Sequence, residues 1–410
     1  MVRTRPHRKI LFLVTEDFSF WARRRPLARK AQEIGAEVWV MTRPGPFAEK
    51  LKDEGFRIIA WRISRSSLNP LYELYAFLQV LKAFRRLQPD LVHLFALKPV
   101  VYGGLAARIC KEICCVHSIV GLGQAFTSPR WTMRAVRWLL HPLLRVALTR
   151  ERSATILQNR ENCQFLVDWR VVRAEDCVLI QGSGVNTSQF APQPEPSCVP
   201  VVILAARMLW EKGIGEFVAA AAILRAKGLS ARFVLVGEPD ADHRSSVPLA
   251  KLREWVASGV VEWWGQQEDM AAVFARCHLV CLPSYGEGVP KALIEAASSG
   301  RPIVASDVPG CRAVVRHGES GLLVPPRDTE ALAVALETLI LDAALRGRMG
   351  ACGREVALRK FSETLVLAQF LEVYRSLLGH RLPAVAPAHF PGVGESPPSL
   401  TSRDENGIIR

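Results

Sequence analysis

One rhythm constrains this chain more than any other feature: short apolar runs alternate with longer helical stretches, and the alternation occurs twice. Lys9 to Val14, Glu37 to Met41, Arg57 to Trp61, Asp90 to Phe95 and Ile113 to Ser118 read as strands. Trp21 to Ile34 reads as a helix closed by Gly35, and helical stretches separate most of the other runs. Strand, helix, strand in this order predicts a parallel sheet covered on both faces. At Ala191 to Pro196 three prolines at alternate positions form a stiff extended connector. Beyond it the rhythm restarts at Val199 to Ala205, Arg232 to Val236, Val260 to Trp264, Leu279 to Leu282, Pro302 to Ala305 and Gly321 to Val324.

The expectation is therefore an α/β chain of two doubly wound domains, 1–190 and 200–378, joined by a linker at 191–199. A long helix from Met349 to about Leu378 is free to return to the N-terminal domain. Residues 380–410, rich in Pro, Ser and Gly, are expected to be disordered. The 49% hydrophobic content excludes a chain without buried cores. No run of about 18 apolar residues occurs, so no membrane-spanning helix is expected. The apolar run Ile10 to Val14 is too short for a signal peptide and is soon followed by Glu16 and Asp17. The ten cysteines include no CxxC pair and read as reduced thiols of a cytoplasmic protein.

Charge is segregated. Residues 1–150 carry 26 Lys and Arg against 10 Asp and Glu, whereas the whole chain nets only +14. The basic half either faces something anionic or serves solubility. A nucleic-acid partner is not expected, because no recognised binding module or basic strip interleaved with aromatics is present.

The most informative stretch is Pro283 to Pro326. A strand ends near Leu282, a turn follows through Gly286, Glu287, Gly288 and Val289, and Pro290 suits the first position of a helix. Amides of Gly286, Gly288 and Val289 near a helix N-terminus favour an anion such as phosphate, and glycine lets the backbone approach it. Glu295, in the body of that helix, is a carboxylate able to hold the vicinal hydroxyls of a ribose. Glu287, in the turn, can hold hydroxyls of a second sugar. Arg207 and Lys212 lie where the strand Val201 to Ala205 gives way to a helix. That is the strand edge at which parallel sheets bind ligands, and the two cations suit a diphosphate.

Together these residues resemble a family 4 glycosyltransferase of the retaining GT-B class, with two Rossmann-like domains facing across a cleft. The family's two glutamates separated by seven residues match Glu287 and Glu295, and its Arg/Lys pair matches Arg207 and Lys212. Val304 to Gly310 and Gly318 to Val324 resemble it as well. The resemblance implies that Arg207 and Lys212 bind the donor diphosphate, Glu295 the nucleotide ribose and Glu287 the donor sugar. The Gly286 to Val289 backbone would help hold sugar and phosphate. Arg207, Lys212 and Glu287 are the implied catalytic set. No cofactor or dedicated metal is implied. Asp240-Ala241-Asp242, a D-x-D, reads as a solvated loop or a segment near the nucleotide rather than a Mg²⁺ site.

The class implies an acceptor bound mainly by the N-terminal domain. Thr15 to Arg25 lacks the glycine-rich turn many relatives carry there. Arg23 and Arg24 therefore either meet an acceptor phosphate or form a solvated basic turn. Lys98-Pro99, Gly121-Leu122-Gly123 and Gln181 to Val185 resemble the bacterial subgroup that extends lipid-linked oligosaccharides for surface polysaccharide. His117 either contacts the acceptor or is a core histidine, and His93 reads as structural. Arg130, Arg134, Arg137, His141 and Arg145 line one helical face beside Trp131, Trp138 and leucines, the pattern of a helix on an anionic membrane. The alternative is a core helix with a basic exposed face. Pro142 is expected to kink it.

The implied activity moves a hexose or N-acetylhexosamine from a nucleotide-diphosphate donor, UDP-linked by subgroup resemblance, to a lipid-linked saccharide at the inner face of the cell membrane. A nucleotide-sugar epimerase or phosphorylase is the alternative on the same scaffold.

Overall fold

The computed structural model describes residues 8–65, 67, 69–119 and 131–379. The expected glycine loop at Gly121 and Gly123, Arg130 and the 380–410 tail lie outside the described residues. The chain forms two compact units, 1–180 with 368–410, and 181–367.

In the first unit seven strands make one parallel sheet in the order β3-β2-β1-β4-β5-β6-β7. They are β1 (Lys9–Glu16), β2 (Glu37–Arg43), β3 (Arg57–Ala60), β4 (Leu91–Phe95), β5 (Cys114–Ile119), β6 (Ser153–Leu157) and β7 (Cys177–Leu179). Helices α1 (Asp17–Arg23), α2 (Arg25–Glu33), α3 (Ala48–Asp53), α4 (Pro70–Leu87), α5 (Leu97–Ile109), α6 (Trp131–Leu148) and α7 (Arg160–Asp168) connect them. The expected strands are present, and β6 and β7 extend the sheet beyond them. The single expected helix at Trp21 to Ile34 is two. Arg24 lies between them at φ −117°, and Pro26, which has no amide hydrogen, cannot continue the hydrogen-bond ladder back to the Ala22 carbonyl. Side chains alternate across the strands. Leu11, Leu13, Val92, Leu94 and Cys115 join one core beneath α4, α5 and α6. On the other face His93 bonds Tyr374 through Nδ1 at 2.6 Å and Ser118 through Nε2 at 2.7 Å, the structural role expected of it. A methyl at Gly104 would stand 2.6 Å from Ala147 Cβ, so α5 and α6 need a glycine to approach so closely.

In the second unit six parallel strands run in the order β10-β9-β8-β11-β12-β13. They are β8 (Val201–Ala205), β9 (Arg232–Val236), β10 (Glu262–Trp263), β11 (Leu279–Leu282), β12 (Ile303–Ser306) and β13 (Gly321–Val324). The helices are α8 (Ile214–Ala226), α9 (Leu249–Ala257), α10 (Met270–Ala275), α11 (Lys291–Ser298), α12 (Pro309–Arg312), α13 (Thr329–Leu341) and α14 (Ala343–Phe361). Both sheet faces are buried: Val201, Ile203 and Val280 in one core, Val202, Leu204 and Cys281 in the other.

Two boundaries differ from expectation. The long terminal helix breaks at Ser362, where Val185 inserts: its amide donates to the Phe361 carbonyl and its carbonyl accepts from the Glu363 amide. The second piece, α15 (Glu363–Leu378), clusters with the first unit from Ala368 onward. The proline-rich stretch at 191–199 belongs to the second unit. Arg346, buried, holds Glu195 there by two hydrogen bonds of 3.0 and 2.8 Å, and Arg301 reaches the Pro194 carbonyl at 3.2 Å. Extended prolines leave their carbonyls unpaired, and buried arginines supply the donors.

His117 in β5 has no exposure, and neither ring nitrogen has a hydrogen-bond partner. Burial, with the Arg150 charge adding to it, pulls it down to about 3. Folded protein therefore keeps this ring neutral, while the unfolded chain takes a proton below about pH 6.5. The unfolded state binds more protons between those values, so stability falls as pH drops, by up to about 1.4 kcal/mol per pH unit from this residue. Urea unfolding at pH 7 and pH 5 is expected to show the loss. His117→Leu should flatten the dependence, and an unchanged slope in that variant would refute the assignment.

Candidate functional site

The strand order reverses between β8 and β11, the central pair of the second sheet. Loops leaving the carboxyl ends of two such strands diverge to opposite faces and open a crevice between them. Arg207 and Lys212 lie in the loop after β8, and Gly286, Glu287, Gly288 and Val289 in the turn after β11.

The two loops are fastened by their backbones. The Tyr285 amide and the Ser284 hydroxyl both donate to the Glu211 carbonyl, at 2.9 and 3.1 Å. Gly213 sits at φ 72° against the Pro283 carbonyl, where any Cβ would collide. Lys212 is thereby delivered to the turn, and its Nζ donates to Glu287 Oε1 at 2.5 Å. Both side chains are largely buried, at 19% and 11% exposure, so neither charge is well hydrated and each stabilises the other. Arg207 turns to the loop after β9 and donates to Asp240 Oδ2 at 2.6 Å. The D-x-D aspartate is thus a counter-ion to a site arginine. No signal short of tertiary structure links residues 207 and 240.

The turn itself is open. A methyl at Gly286 would meet nothing within 4 Å, and the amides of Gly286 and Gly288 have no acceptor among the described residues. They lie just ahead of α11, whose dipole adds to their attraction for an anion. Its N-cap is Pro290, one position outside the helix proper. Glu295 is buried in α11, 3.5 Å from Lys291. The far end of α11 is clamped by Arg354, which donates to the Thr187, Phe190 and Ser298 carbonyls at 3.0, 3.0 and 2.7 Å. Gly310 of α12 approaches the Glu287 and Gly288 carbonyls so closely that a side chain there would displace the turn. Burial pushes the Cys311 thiol well up, and the Glu287 carboxylate adds to this.

In the first unit the expected acceptor-side residues are scattered in character. Arg23 is exposed. Arg24 is buried with its guanidinium 4.2 Å from the Phe95 ring centroid, and burial with the neighbouring Arg23 charge lowers it to about 9. Lys98 spends all three ammonium donors internally, on the Ser64 and Ser67 carbonyls at 2.9 and 2.7 Å and on Glu73 at 2.8 Å. It therefore has no donor left for an acceptor. His117 is sealed in the core, yet without the hydrogen bonds expected of a core histidine.

Helix α6 runs through Pro142 without interruption. Leu144, Ala147 and Leu148 face the core, whereas Trp138 and Leu139 are exposed at 80% and 63%. Arg134 and Arg145 are exposed and Arg137 is half-buried. His141 turns inward, its Nε2 donating to the Trp169 carbonyl at 2.9 Å. Phe165 and Trp169, absent from the sequence-based set, complete a recess of about 830 Å³ beside Arg134, Arg137 and Trp138.

Residues 9–159 match the family described as Glycosyl transferase 4-like, and residues 199–342 the one described as Glycosyl transferases group 1. The chain is 28% identical to the N,N'-diacetylbacillosaminyl-diphospho-undecaprenol alpha-1,3-N-acetylgalactosaminyltransferase of Campylobacter jejuni, over 89% of this chain and 98% of that one. It is 27% identical to the putative glycosyltransferase EpsD of Bacillus subtilis, over 90% and 97%. The fold is similar to sucrose-phosphate synthase of Thermosynechococcus elongatus, with TM-score 0.73 at 21% identity, over 90% and 99% of the two chains. Anabaena Alr3699/HepE in complex with UDP and glucose also has TM-score 0.73, at 20% identity over 90% and 100%.

Gly213→Ala is expected to destabilise the protein by at least about 2 kcal/mol, since it adds a backbone collision to the strain of positive φ. Gly228→Ala, at φ 80° with nothing within 4 Å, should cost only about 1 kcal/mol. Urea unfolding of both variants checks the difference. Equal losses would remove the packing argument.

Proposed function

This chain belongs to the GT-B glycosyltransferases, with a 4-like domain and a group 1 domain, and from that premise we propose that it moves a sugar from a nucleotide-diphosphate donor to a lipid-linked saccharide with retention at the anomeric carbon. The contact that carries the reading is Lys212 against Glu287 beside the open Gly286–Gly288 turn. The named substrate of the Campylobacter relative, a diphospho-undecaprenol-linked sugar, supports the acceptor class. UDP in the Anabaena structure supports a UDP-linked donor, and the N-acetylgalactosaminyl named in the Campylobacter relative supports an N-acetylhexosamine.

In this proposal Arg207 and Lys212 bind the donor diphosphate, Glu295 the ribose hydroxyls and Glu287 the sugar hydroxyls. The amides of Gly286, Gly288 and Val289 hold the remaining oxygens. As the bond between the anomeric carbon and the phosphate oxygen breaks, negative charge gathers on the diphosphate, where the two cations and the α11 terminus stabilise it. The acceptor hydroxyl attacks from the face the diphosphate leaves, and a phosphate oxygen takes its proton. No metal is needed, since the two cations and the amides already meet the charge. The acceptor lies on the first unit, with exposed Arg23 as a phosphate contact. Helix α6 rests on the anionic inner face of the cell membrane through Arg134, Arg145, Trp138 and Leu139. No helix among the described residues is long and apolar enough to cross a membrane.

Purified protein given UDP-sugars and a lipid-diphosphate saccharide should place sugar on the lipid, and Lys212→Ala or Arg207→Ala should lower kcat/KM by about 100-fold or more. Isomerised donor, or no transfer with any UDP-sugar, would overturn the reading. Glu295→Ala should raise the donor Kd, measured calorimetrically, by about tenfold. Arg134→Glu with Arg145→Glu should release the protein from anionic liposomes, and retained binding would remove α6 from the membrane contact.

A further inference from the structure

Helix α4 carries apolar residues on two sides. Val80, Phe84 and Leu87 face the core. On the opposite side Leu71, Leu74, Tyr75 and Leu78 are exposed at 79, 53, 48 and 48%. At 3.6 residues per turn these four positions share one stripe with Lys82, Arg85 and Arg86, which are also exposed. The stripe is apolar for its N-terminal half and cationic for its C-terminal half, and spans about 22 Å. It contains no acid. The only carboxylate of the helix, Glu73, is turned away and engaged by Lys98 and Tyr102.

A soluble helix with an apolar face on each side leaves one of them unexplained. A second copy of this chain is a poor occupant. Parallel stripes would oppose six cations, and antiparallel stripes would press each cationic half on the other's leucines, leaving charges without partners. An anionic bilayer answers both halves at once, taking the leucines below its headgroups and the cations at its phosphates. The fold supports the same occupant. Helices α4 and α6 flank α5 over one sheet face, their inner residues sharing one core. Helix α6 likewise has no acid and exposes Trp138 and Leu139 near Arg134.

We propose that the outer stripe of α4 is a second bilayer-contact surface, entering an anionic membrane tilted, with Leu71, Leu74, Tyr75 and Leu78 inserted and Lys82, Arg85 and Arg86 at the lipid phosphates. It extends the bilayer contact proposed for α6, so the two helices are tested separately. The probes are vesicles of phosphatidylglycerol with phosphatidylethanolamine, and neutral phosphatidylcholine vesicles.

Leu74→Glu with Leu78→Glu, and separately Lys82→Glu with Arg85→Glu, should each lower co-sedimentation with anionic vesicles by about tenfold or more. Both pairs lie on the solvent side, and urea unfolding checks that the fold persists. In Tyr75→Trp, the emission added over wild type should shift to the blue and be quenched by brominated acyl chains on anionic vesicles only. Wild-type binding by both α4 variants, with loss in an α6 variant (Trp138→Glu with Leu139→Glu), overturns the α4 surface and leaves α6 standing. Loss in the α4 variants with none in the α6 variant does the reverse. Added emission that is neither shifted nor quenched in Tyr75→Trp overturns the insertion, and so does a dimer in sedimentation velocity that the α4 substitutions dissociate.

Discussion

The ion pair between Lys212 and Glu287 is the interaction on which the candidate site of the second unit depends. It exists because two loops that diverge from neighbouring central strands are stitched together again. The Glu211 carbonyl takes hydrogen bonds from Ser284 and Tyr285, and Gly213 backs directly onto Pro283. Neither residue is well hydrated, so breaking the pair on one side leaves a charge without compensation, at a cost of about 3 kcal/mol or more. The neighbouring cation is met in the same way, Arg207 by Asp240. Each of the two site cations is thus answered by a carboxylate of the protein itself. Under the proposed reaction the diphosphate enters by exchange. It takes the cations, and Glu287 is left to the sugar hydroxyls that a carboxylate can accept.

The first unit follows a different logic. Its polar residues near the strand ends are largely consumed by the fold. Lys98 ties Ser64 and Ser67 to α4, His93 joins Ser118 to Tyr374, and Arg24 lies against Phe95. What remains exposed is its basic and apolar exterior, on α4 and α6. Part of the basic surplus of residues 1–150 lies on these two helices, as Lys82, Arg85, Arg86, Arg134 and Arg145. Such a surface suits a substrate carried by a lipid, which brings its own anionic plane.

The parallel sheets were legible because strands buried on both faces read as continuous apolar runs, and every named run holds a strand. The short edge strand β7 was not legible, since Cys177 to Leu179 gives too little pattern to separate it from loop. Helix breaks were missed for two reasons. Near Arg24 the local cue, Pro26, was present but outweighed by the apolar period. At Ser362 the residue type suits an N-cap, but the break itself is made by Val185 inserting from distant sequence. The proline-rich stretch looked like a linker because its composition is that of one. Its attachment depends on Arg346 and Arg301, far along the chain.

The amino-acid order alone determined the doubly wound class, the Gly286–Val289 turn ahead of a helix and the spacing of Glu287 from Glu295, because these rest on periodicity and on contacts between near neighbours. Tertiary structure decided which charge meets which. Lys212 reaches Glu287 and Arg207 reaches Asp240 only once β8, β9 and β11 lie side by side. It also sealed His117 away, used up every donor of Lys98 and left the leucines of α4 in solvent. Burial and long-range pairing are properties of the packed chain, and local sequence carries no record of them.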